Sequence, residues 1–143
     1  MDEPGITVAE VQAFMDREMP FCAPMGISCE ELGPGLGVAR LWHDPRWLRP
    51  GEYVNGGSLM TLADVAAYLA IFTRLGITRM AVTNELKMNF LRPAVGADVL
   101  ARGRLHKLGR RIAFVEVALY HEAAPDRWLA HATSSYALPD RPD

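Results

Sequence analysis

Two features of the chain have the residue types to do chemistry, a lone carboxylate in apolar surroundings and a glycine pair at the start of a helix. Asp64 is the only acidic residue between Glu52 and Glu85, and it lies inside the most apolar stretch, Leu59 to Phe72. A carboxylate in such surroundings is costly unless it is paired or at work, and the work it suits is that of a general base. On an isolated charge the commoner reading is a helix residue near a subunit seam that binds a neighbouring Arg or Tyr structurally. Directly before the same stretch stands Asn55-Gly56-Gly57-Ser58. Backbone amides without side chains in the way, at the start of a helix, suit an anion or a developing oxyanion. The same four residues would also make an ordinary turn and helix cap.

The spacing of the two features carries its own consequence. Asp64 follows Gly56 by eight residues, which is about 12 Å along a helix axis. Within one subunit they are too far apart to act on one carbonyl. If both act, a second copy of the chain must bring its own Asp64 to the first copy's Gly56, and the working unit is at least a dimer.

A third group is basic. Arg102, Arg104, Lys107, Arg110 and Arg111 fall between Asp98 and Glu116 with no acid among them. They read either as a solvated hairpin end or as a phosphate dock, for which guanidinium groups are suited. Thr83 offers a hydroxyl at the start of a strand. His43, His106, His121 and His131 lack metal-site spacing, and neither a G-x-S-x-G elbow nor a phosphate-binding loop occurs. No metal and no cofactor are expected.

The elements that must carry these residues follow from periodicity. Thr7 to Met19 reads as an amphipathic helix, with Thr7 as cap, Glu10 in capping-box position and Val8, Val11, Phe14 and Met15 on one face. Short strands are expected over 25–31 and 36–43 around Gly33-Pro34-Gly35. Residues 44–54, with Pro45, Pro50 and Gly51, read as loop. Gly57 to Leu75 has no Pro, stops at Gly76 and is apolar on nearly every side, which predicts a helix buried all round. Val82, Leu86, Met88 and Phe90 then alternate with polar residues in a half-buried strand that ends at Pro93. Further strands are expected near 97–106, 112–121 and 127–138, the first two joined by a turn at 107–110. One buried helix followed by four consecutive strands gives an α+β fold with an antiparallel sheet wrapped on the helix.

Composition narrows the function classes. The 143 residues are half hydrophobic and 22% charged, ordinary for one globular domain over residues 1–143, with 1–24 as a helical extension. The net charge of −2 argues against nucleic acid as partner. Cys22 and Cys29 fit neither a disulfide framework nor a zinc site. Met1-Asp2-Glu3-Pro4 is the reverse of a signal peptide's basic start, and Leu59–Phe72, split by Asp64, falls short of a membrane span. A cytoplasmic protein without membrane attachment is expected. The charge is uneven: residues 1–31 hold seven acids against one base, and the rest ten acids against fourteen bases.

The runs NGGSLMTLADVAAYLA, AVTNELKMNFLRPA and LHKLGRRIAFVEVALY together resemble the hotdog-fold acyl-CoA thioesterases of the PaaI-like, phenylacetate-pathway group, over roughly residues 25–138. The resemblance implies a long central helix wrapped by an antiparallel sheet, and a site across a dimer interface in homodimers or dimers of dimers. It implies that Asp64 acts as general base or nucleophile on an acyl-CoA thioester and that the Gly56 amide, with Gly57 beside it in the substrate path, polarises the carbonyl. Thr83 would help hold the attacking water. Asn55 stands where that family usually has His, and can orient a carbonyl or a water but not titrate near neutral pH. The family's water-holding asparagine has no counterpart in RPGEYV.

The resulting expectation is hydrolysis of an acyl-CoA or related thioester to carboxylic acid and thiol. Lys107, Arg110 and Arg111 are candidates for the CoA phosphates. The alternative is a non-catalytic acyl-CoA-binding protein on the same fold, favoured by Asn55. A dehydratase ranks last, since no His lies between His43 and His106.

Overall fold

The computed structural model describes residues 5–141. Residues 1–4, where the acidic N-terminus of the expected helical extension falls, lie outside the described residues, as do 142–143. The chain opens with α1 (Val8–Glu18), capped by Thr7 Oγ1, which accepts from the Glu10 amide at 3.1 Å. A short α2 (Cys22–Met25) follows, and then β1 (Ile27–Gly33) and β2 (Leu36–Leu41). The stretch read as plain loop contains a 3-10 turn, Pro45–Trp47, and a two-stranded ladder of β3 (Leu48–Arg49) and β4 (Tyr53–Val54). Its Pro and Gly residues confine the pairing to two residues on each side. The long helix α3 (Gly56–Leu75) begins at Asn55 and stops at Gly76, one residue earlier than expected at its start. β5 (Val82–Phe90), β6 (Val99–Leu108), β7 (Ile112–Tyr120) and β8 (Ala130–Ala137) complete the chain.

Six strands form one antiparallel sheet in the order β1-β2-β6-β7-β8-β5. α3 lies across its inner face, with Leu62, Leu69, Ile71 and Phe72 fully buried. Each such side chain contributes about 1.5–3 kcal/mol by leaving water. Two glycines set how closely the sheet approaches. A Cβ at Gly37 of β2 would stand 2.5 Å from the Ala70 nitrogen, and one at Gly103 of β6 would stand 2.6 Å from the Ala66 oxygen. Only glycine lets backbone meet backbone there, and this contact fixes the height of α3 over the sheet.

At 20 residues α3 is long and apolar enough to cross a membrane, beyond the shorter span read from the sequence. Its apolar sides are instead spent on the sheet and on α1. It is also not buried all round. Gly57 and Met60 are exposed and Thr61 and Asp64 half-buried, a stripe on one side of the helix. This side faces the edge of the sheet at β5, beyond which no described strand lies. β5 itself is open: Val82 is 54% and Phe90 52% exposed, and Leu86 and Met88 are half-buried.

Candidate active site

Asp64 projects from the middle of α3 toward the start of β5. Thr83 Oγ1 donates to its Oδ1 at 2.8 Å, and the Tyr136 hydroxyl reaches the same Oδ1 at 2.5 Å and the Asp64 carbonyl oxygen at 2.9 Å. Thr83 and Tyr136 are register partners on β5 and β8, so the two donors are set side by side by one ladder rung. No described residue donates to Oδ2, which leaves that oxygen for a water or a carbonyl carbon. Tyr136 is held in turn by Tyr68, whose ring stacks on it at 5.9 Å and 15°. Burial and the adjoining Asp64 charge lift the Tyr136 hydroxyl well above the usual tyrosine range, so it stays a proton donor.

The Gly56 end of α3 is built differently. Asn55 is the N-cap: its Oδ1 accepts from the Ser58 amide at 2.9 Å, and its Nδ2 donates to the Trp47 carbonyl at 2.7 Å and to Ser58 Oγ at 2.9 Å. Both amide hydrogens of Asn55 are thus committed within the protein. The cap leaves the Gly56 and Gly57 amides, in the first turn, with no intrahelical acceptor. Gly56 faces the Phe90 ring, whose nearest carbon would lie 3.3 Å from a Cβ at that position. Gly56 also lines a cleft of about 350 Å³ with Arg49, Tyr53, Leu59, Phe90 and Arg92.

Asp64 and Gly56 therefore belong to opposite ends of β5, Asp64 at Thr83 and Gly56 at Phe90. Of the residues singled out in the sequence, Asp64 and Thr83 are brought together, as are Asn55, Gly56 and Gly57. Lys107, Arg110 and Arg111 sit at the β6–β7 hairpin, at the Thr83 end of the sheet. The chain's last described residues brace that hairpin: Arg141 donates to the Gly109 and Arg110 carbonyls, and Arg111 stands 3.9 Å from Asp140. Tyr136 joins Asp64, and Arg49 and Arg92 join Gly56, only through the fold. Tyr136 carries no local motif, and the two arginines line one cleft only because the 48–54 ladder folds onto the 91–95 turn. Among the described residues no cluster of His, Cys, Asp and Glu could hold a metal ion.

Comparison with known proteins adds the family. The profile of the Thioesterase superfamily matches residues 51–124, which include Gly56, Asp64 and Thr83. A provisionally named esterase of Thermoplasma volcanium is 37% identical over 73 residues, 51% of this chain and 54% of that protein. The chain thus spans about half the length of that curated relative. A provisionally named thioesterase from Silicibacter sp. TM1040 superposes with a TM-score of 0.84 at 32% identity, over 94% of this chain and 93% of the other. A point mutant of the phenylacetic acid degradation protein PaaI from Thermus thermophilus gives 0.73 at 29% identity, over 84% and 99%.

Proposed function

This chain belongs to the thioesterase superfamily, as a PaaI-like protein of the hotdog fold, and we propose that it hydrolyses an acyl-CoA or related thioester at a site completed by a second copy of itself. The observation that carries this reading is the placement of Asp64 and Gly56 at opposite ends of the open edge strand β5. Two copies of β5 paired antiparallel about a two-fold axis near Leu86 set Val82 of one strand opposite Phe90 of the other. Asp64, at Thr83, then lies beside the second copy's Gly56, at Phe90. The pairing covers the exposed ends of β5 and the Gly57–Met60–Asp64 stripe of α3, and it satisfies an edge that otherwise offers unpaired backbone groups. Each dimer then holds two equivalent sites.

In the resulting mechanism the Gly56 amide donates to the thioester oxygen as negative charge builds there, with the Gly57 amide beside it. Asp64 Oδ2 takes a proton from a water as that water's oxygen attacks the carbonyl carbon. The C–S bond breaks, the proton passes from Asp64 to the departing sulfur, and carboxylic acid and thiol leave. Direct attack by Oδ2, with hydrolysis of the resulting anhydride, uses the same geometry. Thr83 and Tyr136 hold Oδ1, and the Thr83 hydroxyl retains lone pairs toward the water. Asn55 serves through the cap, keeping the Gly56 and Gly57 amides open and in place. Lys107, Arg110 and Arg111 of one copy come to the end of the dimer that holds the other copy's Gly56, where a phosphate of the carrier could reach them.

The test is thiol release from a panel of aryl- and alkyl-CoA esters by the wild type and by Asp64→Asn. The reading expects release by the wild type and a loss of at least about 10²-fold in the variant. Equal rates would remove Asp64 from the reaction, and stabilisation by CoA esters without thiol release would make the protein a binder alone.

A further inference from the structure

The cleft beside Gly56 carries a charge arrangement that the hydrolytic steps do not use. Arg49 and Arg92 line it together, both exposed, and no acidic residue lines it with them. Neither arginine forms an ion pair with a described residue. Each is steered by a single hydrogen bond from its own side chain to a backbone carbonyl: Arg49 Nε donates to Pro50 O at 3.2 Å, and Arg92 donates to Trp128 O at 2.7 Å. A carbonyl orients a guanidinium without neutralising it. The other N–H groups of each fork remain for an anion.

The two arginines are also held relative to each other. Arg49 pairs with Tyr53 across the β3–β4 ladder, the Val54 amide donates to the Ala94 carbonyl at 3.0 Å, and Tyr53 bridges Val95. The Leu91 and Arg92 amides both donate to the Leu129 carbonyl, at 2.8 and 3.0 Å. Two separate segments are thus tied so that two cations face one cleft. The walls between them are apolar or aromatic, from Tyr53, Val54, Leu59, Phe90 and Pro93.

We infer that Arg49 and Arg92 form an anion subsite that selects substrates carrying a carboxylate or phosphate one cleft-length from the reacting carbonyl. The assignment rests on the thioester-hydrolase reading for the position of that carbonyl. The shared chemistry is an oxyanion held by paired guanidinium forks. Its source is either a carboxylate at the far end of the acyl group or a phosphate of the thiol carrier. The subsite lies within the same protomer as Gly56, whereas the Lys107–Arg111 hairpin would approach that glycine only from the second copy.

The experiment compares the wild type with Arg49→Gln, Arg92→Gln and the double variant, with Arg127→Gln as an exposed control and thermal unfolding to verify the fold. Butyryl-CoA, succinyl-CoA and the N-acetylcysteamine thioesters of the same two acids, which lack the phosphates, are the substrates. Each single variant is expected to lower kcat/KM by about tenfold through KM, with kcat held within about threefold. A loss on both CoA esters that vanishes on both phosphate-free esters assigns the carrier phosphate. A loss on both succinyl esters but neither butyryl ester assigns the acyl carboxylate. Values for the double variant within twofold of wild type on all four esters overturn the subsite. Thermal stabilisation by free CoA and by succinate, measured on the same proteins, reads the subsite without turnover. Where the wild type hydrolyses nothing, stabilisation lost in the double variant keeps the subsite while the hydrolytic reading fails, and stabilisation unchanged in it overturns the subsite as well.

Discussion

The Tyr136 hydroxyl donates to Asp64 Oδ1 at 2.5 Å, linking residues 72 positions apart in the chain. Thr83 donates to the same oxygen, so one carboxylate oxygen is occupied twice and the other is left open. In the proposed mechanism this arrangement leaves Oδ2 as the atom of Asp64 that acts. It also fixes the carboxylate against rotation, because Tyr136 is pinned by the stack on Tyr68 and by its rung opposite Thr83.

Removing that donor while keeping the ring tests the role of Tyr136 directly. Tyr136→Phe is expected to lower kcat about tenfold with KM little changed, since a hydrogen bond to a charged group contributes about 1.5–3 kcal/mol and tenfold corresponds to about 1.4. Adding Thr83→Val should deepen the loss further. Steady-state kinetics on the single and double variants decide it, and an unchanged kcat in the double variant would leave Oδ1 without a positioning function.

Gly56 can be stripped of its donor without breaking the helix. It is the first residue of α3, where proline is well tolerated, and Asn55 before it has ψ 146°, the extended backbone that a following proline requires. Gly56→Pro is expected to reduce kcat by about 10²–10³ while circular dichroism and Tm stay close to wild type. Full activity in a folded Gly56→Pro protein would take the amide out of the mechanism.

The exposed ends of β5 predict how the proposed dimer can be opened. Val82→Glu puts a charge on each copy of the strand where Phe90 of the other copy is to pack, a partly desolvated position that a charge tolerates poorly. Sedimentation should show monomers, and thiol release should fall together with the dimer fraction. A monomeric Val82→Glu protein with wild-type turnover would place the whole site in one chain.

Much of the architecture could be read from local signals. α3 is announced by Asn55 at one end, Gly76 at the other and an unbroken apolar run between. Strands β6 to β8 fall within a few residues of their alternating patterns, because each packs one face on α3. The candidate site is legible where it depends on helix spacing, at Asp64 and the Gly56–Gly57 pair. It is not legible where it depends on ladder register, as at Tyr136, or on the folding of one loop against another, as at Arg49 and Arg92. Asn55 shows the same limit: its residue type suggested a substrate contact, and only the Trp47 carbonyl, eight residues upstream, reveals that its amide hydrogens are already engaged.

On the outer face of the sheet Arg40, 8% exposed, is bound by Glu30, Asp98 and Glu122 at 2.8–3.1 Å. The Arg40 hydrogen bond holds the Glu30 carboxyl below its usual range. A depressed folded value means that the stabilisation is present above the unfolded pKa of about 4.3 and is lost as pH falls through the folded value. Arg40→Met should cost about 2–3 kcal/mol at pH 7, toward the low side for a buried pair because the three acids are partly exposed. It should also lose less stability than the wild type between pH 5 and pH 3, roughly the window set by that shift. Urea unfolding of both proteins at the two pH values measures each effect.

The most direct measurement is complementation between two inactive chains. Asp64→Asn and Gly56→Pro proteins are unfolded together, refolded as an equal mixture and assayed for thiol release. A site built from Gly56 of one copy and Asp64 of the other leaves every mixed dimer with one intact and one doubly defective site. Mixed dimers are half of a random population, so recovery to about a quarter of wild-type activity is expected. Activity no higher than the mean of the two parents, with mixed dimers verified by mass, would show that Asp64 and Gly56 do not serve one carbonyl across the two-fold axis.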